Sequence, residues 1–241
     1  MVANRNVTAT EMNTKLGGYI FRSNGGTFQV SLDNGTTWTS IAGTPGPAGT
    51  SIPKSGYSPI DHGLLTWSYD PVIQSSGSQP NAANSRLHGT RVWIPGPCTV
   101  NAVWLNVVTA GATPTSNNNK AVIYDASGNL LGTSVDQSTA WTSSGPKGCA
   151  LATPVTVSTA GWFDIGFWSA MATLPAFGRG TGNTGMNAGV TDPANSRFWQ
   201  ADTGLTTSAP ATLGVKIADT AAWWMAVSGT ISSGFGAAFG L

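Results

Sequence analysis

Charge is what this sequence has least of. Charged residues fill 9% of its 241 positions, glutamate occurs once, at Glu11, and eleven lysines and arginines against ten acids leave a net charge of +1. Recognition of nucleic acid by neutralising phosphates needs several cations on one face, and no basic cluster is present to supply them. No apolar run approaches the roughly 20 residues of a membrane-spanning helix, so membrane insertion is not expected. Met1 to Glu11 is polar and lacks the apolar stretch of a secretion signal. Histidine (His62, His88) and cysteine (Cys98, Cys149) occur twice each, without the short spacings that hold zinc, and neither a metal nor a cofactor is expected. The cysteines can pair or stay as buried free thiols. The G-x-S-x-G elbow, the P-loop and the dinucleotide fingerprint are missing too, which leaves hydrolase, NTPase and oxidoreductase chemistry without a starting residue. The acids, Asp33, Asp125, Asp192 and Asp202 among them, sit mostly in turn contexts, and no two are spaced to nominate a glycosidase pair. No catalytic residue is assigned.

What is abundant points to strands. Thirty-one glycines with plentiful Ser, Thr and Asn make a chain poor in helix formers and rich in turn residues, so the expected class is all-β. Gly43-Thr44-Pro45-Gly46-Pro47-Ala48-Gly49 divides it. Gly43, Gly46 and Gly49 recur at every third position with Pro45 and Pro47 between them, the pattern that lets three polyproline-like strands wind round an axis where only glycine fits. Two complete triplets are too few to hold three chains unaided, and a stiff Pro/Gly linker reads equally well. Either way the segment is a boundary: residues 1–42 form a small N-terminal β-meander, 43–56 a collagen-like linker, and 57–241 a larger domain.

In the first part, Gly18–Arg22, Thr27–Leu32 and Thr36–Ile41 read as three strands joined by Asn24-Gly25-Gly26 and Asp33-Asn34-Gly35, which supply the positive-φ positions of tight hairpins. Phe28, Val30 and Leu32 share one face by the period-two rule, and Trp38 can cover it. A sheet of about 40 residues buries too little to stand alone, so this end is expected to pack against copies of itself or a larger assembly. Ser31, Asp33, Gly35, Thr37 and Trp38 fit the pattern S-x-D-x-G-x-T-W and resemble the Asp-box hairpin of sialidases and many extracellular or viral proteins, a structural turn. A single copy with six scattered arginines does not make a sialidase.

Beyond the linker, Thr90–Ile94, Val100–Val108, Lys120–Tyr124, Leu130–Ser134, Lys147–Leu151, Gly161–Met171 and Trp223–Val227 are the candidate strands, a spacing typical of a β-sandwich or jelly roll. The stretches 74–86, 110–119 and 178–204 read as long polar loops. The runs Lys120 to Gly132, Asp136 to Trp141, Thr153 to Val155 and Ala160 to Phe167 resemble the C-terminal jelly roll of minor tail and other surface proteins of tailed phages, which place a short glycine-triplet segment between an attachment end and an outward sandwich. The resemblance implies a non-enzymatic virion structural protein, displayed on the particle surface as a homotrimer and made in the host cytoplasm. A minor tail or fibre protein involved in host attachment is the favoured version, with capsid (head) decoration or a head fibre as the alternative. Residues 1–42 would then dock on other virion proteins.

Ten tryptophans are the unusual stock. Alternation through Gly161–Ser169 sets Phe163, Ile165 and Phe167 on one face and Trp162, Asp164, Gly166 and Trp168 on the other. If the first face is core, two indoles flank a carboxylate outside, and such a surface can bind host cell-surface glycan; alternatively the indoles fill a second core or a subunit interface. In Trp223-Trp224 one ring must leave the core, and a contact between copies is expected there. The glycine-rich tail 228–241 is either tucked into a neighbouring subunit or the last strand of its own sandwich. A homotrimeric chain gives three times the single-chain mass by light scattering, whereas a monomer mass overturns the assembly. Gly46→Ala lowers the melting temperature of the trimer if three strands meet at the linker, and leaves it unchanged if they do not.

Overall fold

A computed structural model of the chain describes residues 14–16, 19–24, 27–33, 35–40, 58–74, 84–180 and 195–231, with side chains from residue 29 onward except that of residue 40. The protein is all-β, its sheets antiparallel throughout. The chain divides into two compact units, one within residues 1–52 and one within 53–239. The glycine triplets Gly43, Gly46 and Gly49 with Pro45 and Pro47 lie outside the described residues.

The first unit is a four-stranded meander, β1 (Thr14–Leu16), β2 (Tyr19–Asn24), β3 (Thr27–Ser31) and β4 (Thr39–Ser40), paired in chain order. It has one strand more than the sequence predicts, and its last strand is shorter, because Leu32 to Trp38 is taken up by a turn. Leu32 therefore leaves the strand face and stands 73% exposed. Ser31 Oγ donates to Asp33 Oδ1 (2.7 Å), and the Thr37 backbone N–H donates to the same oxygen (2.7 Å). Gly35, at φ +91°, lets the chain reverse, and Trp38 Nε1 closes the turn on the Gly35 carbonyl. The Thr37 hydroxyl and amide, with Ser31, hold the Asp33 carboxyl down at about 2, so it stays an ionised acceptor.

The second unit contains, in order, β5 (Thr66–Trp67), β6 (Leu87–Ile94), β7 (Cys98–Thr109), β8 (Ala112–Pro114), β9 (Lys120–Asp125), β10 (Leu130–Thr133), β11 (Gly145–Val157), β12 (Gly161–Trp168), β13 (Met171–Thr173), β14 (Ala176–Phe177), β15 (Phe198–Ala201), β16 (Ile217–Ala218) and β17 (Met225–Ile231). One sheet runs β10-β9-β12-β6-β15-β16 and the other β11-β7-β17-β5, with β14 also on β7 and a separate β8-β13 ribbon. The candidate strands of the sequence are all present, with shifted ends. Gly161–Met171 breaks at Ser169, and Met171 starts the ribbon instead; Trp223 and Trp224 precede their strand rather than open it. The stretches read as polar loops contain β8 and β15, each too short to show a period. Ser228 to Ile231 belong to β17, the last strand of the chain's own sandwich, and residues 232–241 lie outside the described residues.

The core is the space between the two sheets. Val92, Ile94, Ile123, Ile165 and Phe167 of the first sheet meet Val100, Val103, Leu105, Met225 and Val227 of the second, all at 2% exposure or less. Strand β7 keeps Val100 and Val103 both inward although they are three residues apart. Asn101 bulges out there, and the register to β17 shifts between Ser228 and Gly229 as a bulge requires. Phe167, Phe177, Trp141 and Trp223 form the aromatic centre, with Phe167 and Phe177 ring centroids 4.5 Å apart. Cys98 and Cys149 are free thiols buried on neighbouring strands, and burial pushes the Cys149 thiol up to about 12.

The outer face of the first sheet is also covered for much of its length. Leu87, Val122, Tyr124, Trp168 and Trp199 form a second cluster there, roofed by Leu205, Ala209 and Leu213. Hydrogen bonds pin that roof: Trp168 Nε1 to the Thr206 carbonyl (3.1 Å), Tyr124 Oη to Pro210 O (3.2 Å) and Lys120 Nζ to Thr207 O (2.6 Å). Strand β9 is consequently buried on both sides, Ala121 and Ile123 toward the inter-sheet core, Val122 and Tyr124 toward the roof. The Trp199 indole lies across Gly89 and Gly166, paired in register on β6 and β12, and a Cβ on Gly89 would overlap that ring and the Ile165 carbonyl. Gly89→Ala should accordingly cost about 1–3 kcal/mol, the usual penalty of overpacking a tight site, read as a lower denaturant midpoint at unchanged m-value.

Candidate binding cleft

Trp93 on β6 and Trp162 on β12 are register partners, so these neighbouring strands of the first sheet set their indoles side by side. The rings meet edge to face, centroids 5.4 Å apart at 81°. They lie just beyond the end of the roof and are 48% and 51% exposed. Next to them opens a cleft of about 510 Å³, whose third indole is Trp67 of β5, on the edge of the other sheet. Its polar wall is Arg91, Asn195, Arg197 and Ser68.

Asp164 fixes this wall from beneath. Its carboxylate, fully buried, accepts from Arg91 Nη2 (2.8 Å), from Arg91 Nε (3.3 Å) and from Lys216 Nζ (2.9 Å). Burying a lone carboxylate costs several kcal/mol, and here a bidentate guanidinium and an ammonium compensate it. Arg91 is thereby aimed, and its remaining Nη1 donates to Asn195 Oδ1 (2.8 Å). Lys216 ties the segment before β16 onto the sheet and stands 5.7 Å over the Trp199 ring. Arg197 donates to the Ser68 carbonyl, which links β15 to the end of β5.

Of the residues that the sequence nominated, Trp162 lines the cleft and Asp164 supports it through Arg91. Trp168 does not reach it. Its ring is fully buried in the second cluster, its Nε1 bonded to Asn118 Oδ1 (2.9 Å), because the roof covers this end of the outer face and closes it to any external ligand. Trp223 and Trp224 turn opposite ways, as the alternation requires. Trp223 fills the inter-sheet core, and Trp224, 6% exposed, is covered by its own chain, with Nε1 donating to the Tyr69 carbonyl (3.1 Å). Trp67, Trp93, Arg91 and Arg197 were missed. The pairing of Trp93 with Trp162 depends on the β6–β12 register, which no local signal carries.

The described carboxylates are engaged in local structure. Asp125 holds its hairpin by accepting from Ser127 and Asn129, Asp70 caps a helical turn through Val72, and Asp202 accepts from Gly214. Asp219 receives His88 Nδ1 (2.9 Å), Trp223 Nε1 and the Ala221 amide; burial pushes its carboxyl up, but these partners, His88 foremost, outweigh it and leave it below the usual range. Among the described residues no group of three His, Cys, Asp or Glu could hold a metal ion, and no helix is long and apolar enough to cross a membrane.

Compared with models of protein families, with curated proteins and with solved structures, the chain matches none. The cleft's chemistry has to be argued from its own residues. Asp164→Asn leaves Arg91 and Lys216 without a counter-charge and should lower stability by about 3 kcal/mol, measured by chemical denaturation.

Proposed function

We propose that this protein is a non-enzymatic surface component of a tailed-phage particle, a trimeric minor tail or fibre protein, and that its outer domain attaches to the host by binding a surface glycan in the Trp67–Trp93–Trp162 cleft. The observation that carries the binding part is the exposed indole pair beside an aimed guanidinium. A sugar ring has an apolar C–H face that suits an indole and hydroxyls that suit Arg91, Asn195 and the Ser68 region. The cleft volume falls within the range of small-ligand sites, roughly 300–1,000 Å³. Arg91 and Arg197 line it, and Arg91 is held in place by Asp164, so oxygens of a glycan find guanidinium groups in the wall.

The virion part rests on the resemblance of the 120–167 segments to phage tail jelly rolls, on the Pro/Gly triplets and on the Asp-box hairpin. The way the chain alternates between the sheets, from β6 to β7 and again through β10, β11 and β12, is compatible with jelly-roll winding. Residues 1–42 are the end that docks on other virion proteins in this reading. Turnover is not part of this reading.

Binding is tested on an array of bacterial capsular, teichoic-acid and O-antigen glycans, followed by calorimetry with the best binder. Trp162→Ala and Trp93→Ala should each weaken binding at least 10-fold. Absence of binding to any bacterial glycan, or undiminished binding by Trp162→Ala, overturns the glycan reading; antibody labelling that finds no copy on intact particles overturns the virion reading.

A further inference from the structure

We propose that a second cleft, on the outer face of the other sheet, continues the first, and that the two together hold an extended glycan chain instead of one terminal sugar. The proposal rests on the glycan reading above and adds the length of the ligand and the residues that read it.

The second cleft has a volume of about 450 Å³, and Trp67 lines it as well as the first. The two sites therefore meet at one indole. Trp67 and Trp104 both line the second cleft and stand on one row across the sheet, since Trp67 pairs with Ala226, Ala226 with Trp104, and Trp104 with Gly148. Large and small residues alternate along this row, and the small ones make room for the rings to lie along the sheet. A Cβ on Gly148 would come within 2.9 Å of Trp104 Cζ2, which places that indole flat over its neighbour strand. Trp104 is locked in place by Nε1 donating to Ser228 Oγ (2.8 Å).

The second cleft also carries a polar pair, anchored two residues along β7 from Trp104. Asn106 Nδ2 donates to Gln74 Oε1 (3.0 Å), and one such bond leaves each amide with further donor and acceptor capacity. His62, exposed, tilts against Trp67 with ring centroids 5.4 Å apart. An indole floor with an amide pair beside it suits a polymer that presents both C–H faces and hydroxyls. A short ligand would satisfy one cleft and leave Trp104, Gln74 and Asn106 without contact. The shared Trp67 makes the second site a downstream position of the same chain.

The test uses the full-length protein and the bacterial glycan that binds it best on the array, cut by partial hydrolysis and fractionated into lengths of two to eight sugars. Wild-type affinity should rise at least 10-fold from the shortest to the longest fragments. Gln74→Ala with Asn106→Ala should remove that gain and leave the affinity for the shortest fragments unchanged. The Trp104 Nε1–H resonance should shift with long fragments only, a readout that needs no substitution. Affinity independent of length, or a length gain untouched by the double variant, overturns the extended site while the first cleft stands. If no fragment of any length binds, both readings fall.

Discussion

A carboxylate with no exposure to water is the constraint on which the open cleft of the second unit depends. Asp164 sits midway along the outer face of the first sheet, where it must have partners, and the partners it takes come from both sides. Lys216 draws in the segment that follows the roof over Trp168 and Trp199. Arg91 is drawn the other way and stiffened into the wall of the open cleft, its Nη1 donating to Asn195. An exposed ion pair would contribute little here, because solvent screens it and two long side chains must be ordered. Buried, the same triad determines where the covered part of the sheet stops and the open part begins.

The second recurring device is an indole laid over glycine on a neighbouring strand. Trp199 covers Gly89 and Gly166 on one sheet, and Trp104 covers Gly148 on the other. Glycine weakens a strand, yet here its missing side chain is replaced by a ring from the adjacent strand, so that packing is regained across the sheet instead of along the chain. The outcome differs because the surroundings differ. Trp199 is sealed under Leu205 and Leu213, while Trp104 remains half-buried beside an open cleft.

Much of this architecture was legible in the sequence, and what was not shares a cause. Val100 to Val108 and Lys120 to Tyr124 alternate or run apolar over enough residues to declare themselves strands, and Asp125-Ala126-Ser127-Gly128-Asn129 carries its turn chemistry locally. The faces of Gly161–Trp168 were also correctly separated. The roles of the indoles on them were not, because Trp162 and Trp168 share a face and differ only in whether a roof 40 residues downstream happens to cover them. Trp67 and Trp93 gave no signal at all, since their significance comes from β5 lying at the edge near β6 and from the Trp93–Trp162 register. Cross-strand neighbours are set by pairing, and periodicity along a single strand does not contain that information.

The tryptophans as a set then separate structure from function. Trp141, Trp168, Trp199, Trp223 and Trp224 are buried, and Trp38 closes a turn; their burial stabilises the fold in the ordinary way. Trp93 and Trp162 each leave about half their surface in water. An indole can bury up to roughly 250 Å², so the pair leaves on the order of 200 Å² uncovered, which at about 25 cal/mol per Å² forgoes some 5 kcal/mol of burial. That is a sizeable share of the net stability of a domain. The forgone burial remains available to whatever covers the rings, and a ligand that must also satisfy Arg91 and Asn195 has to present apolar surface and hydroxyl or anionic oxygen within one sugar-sized footprint.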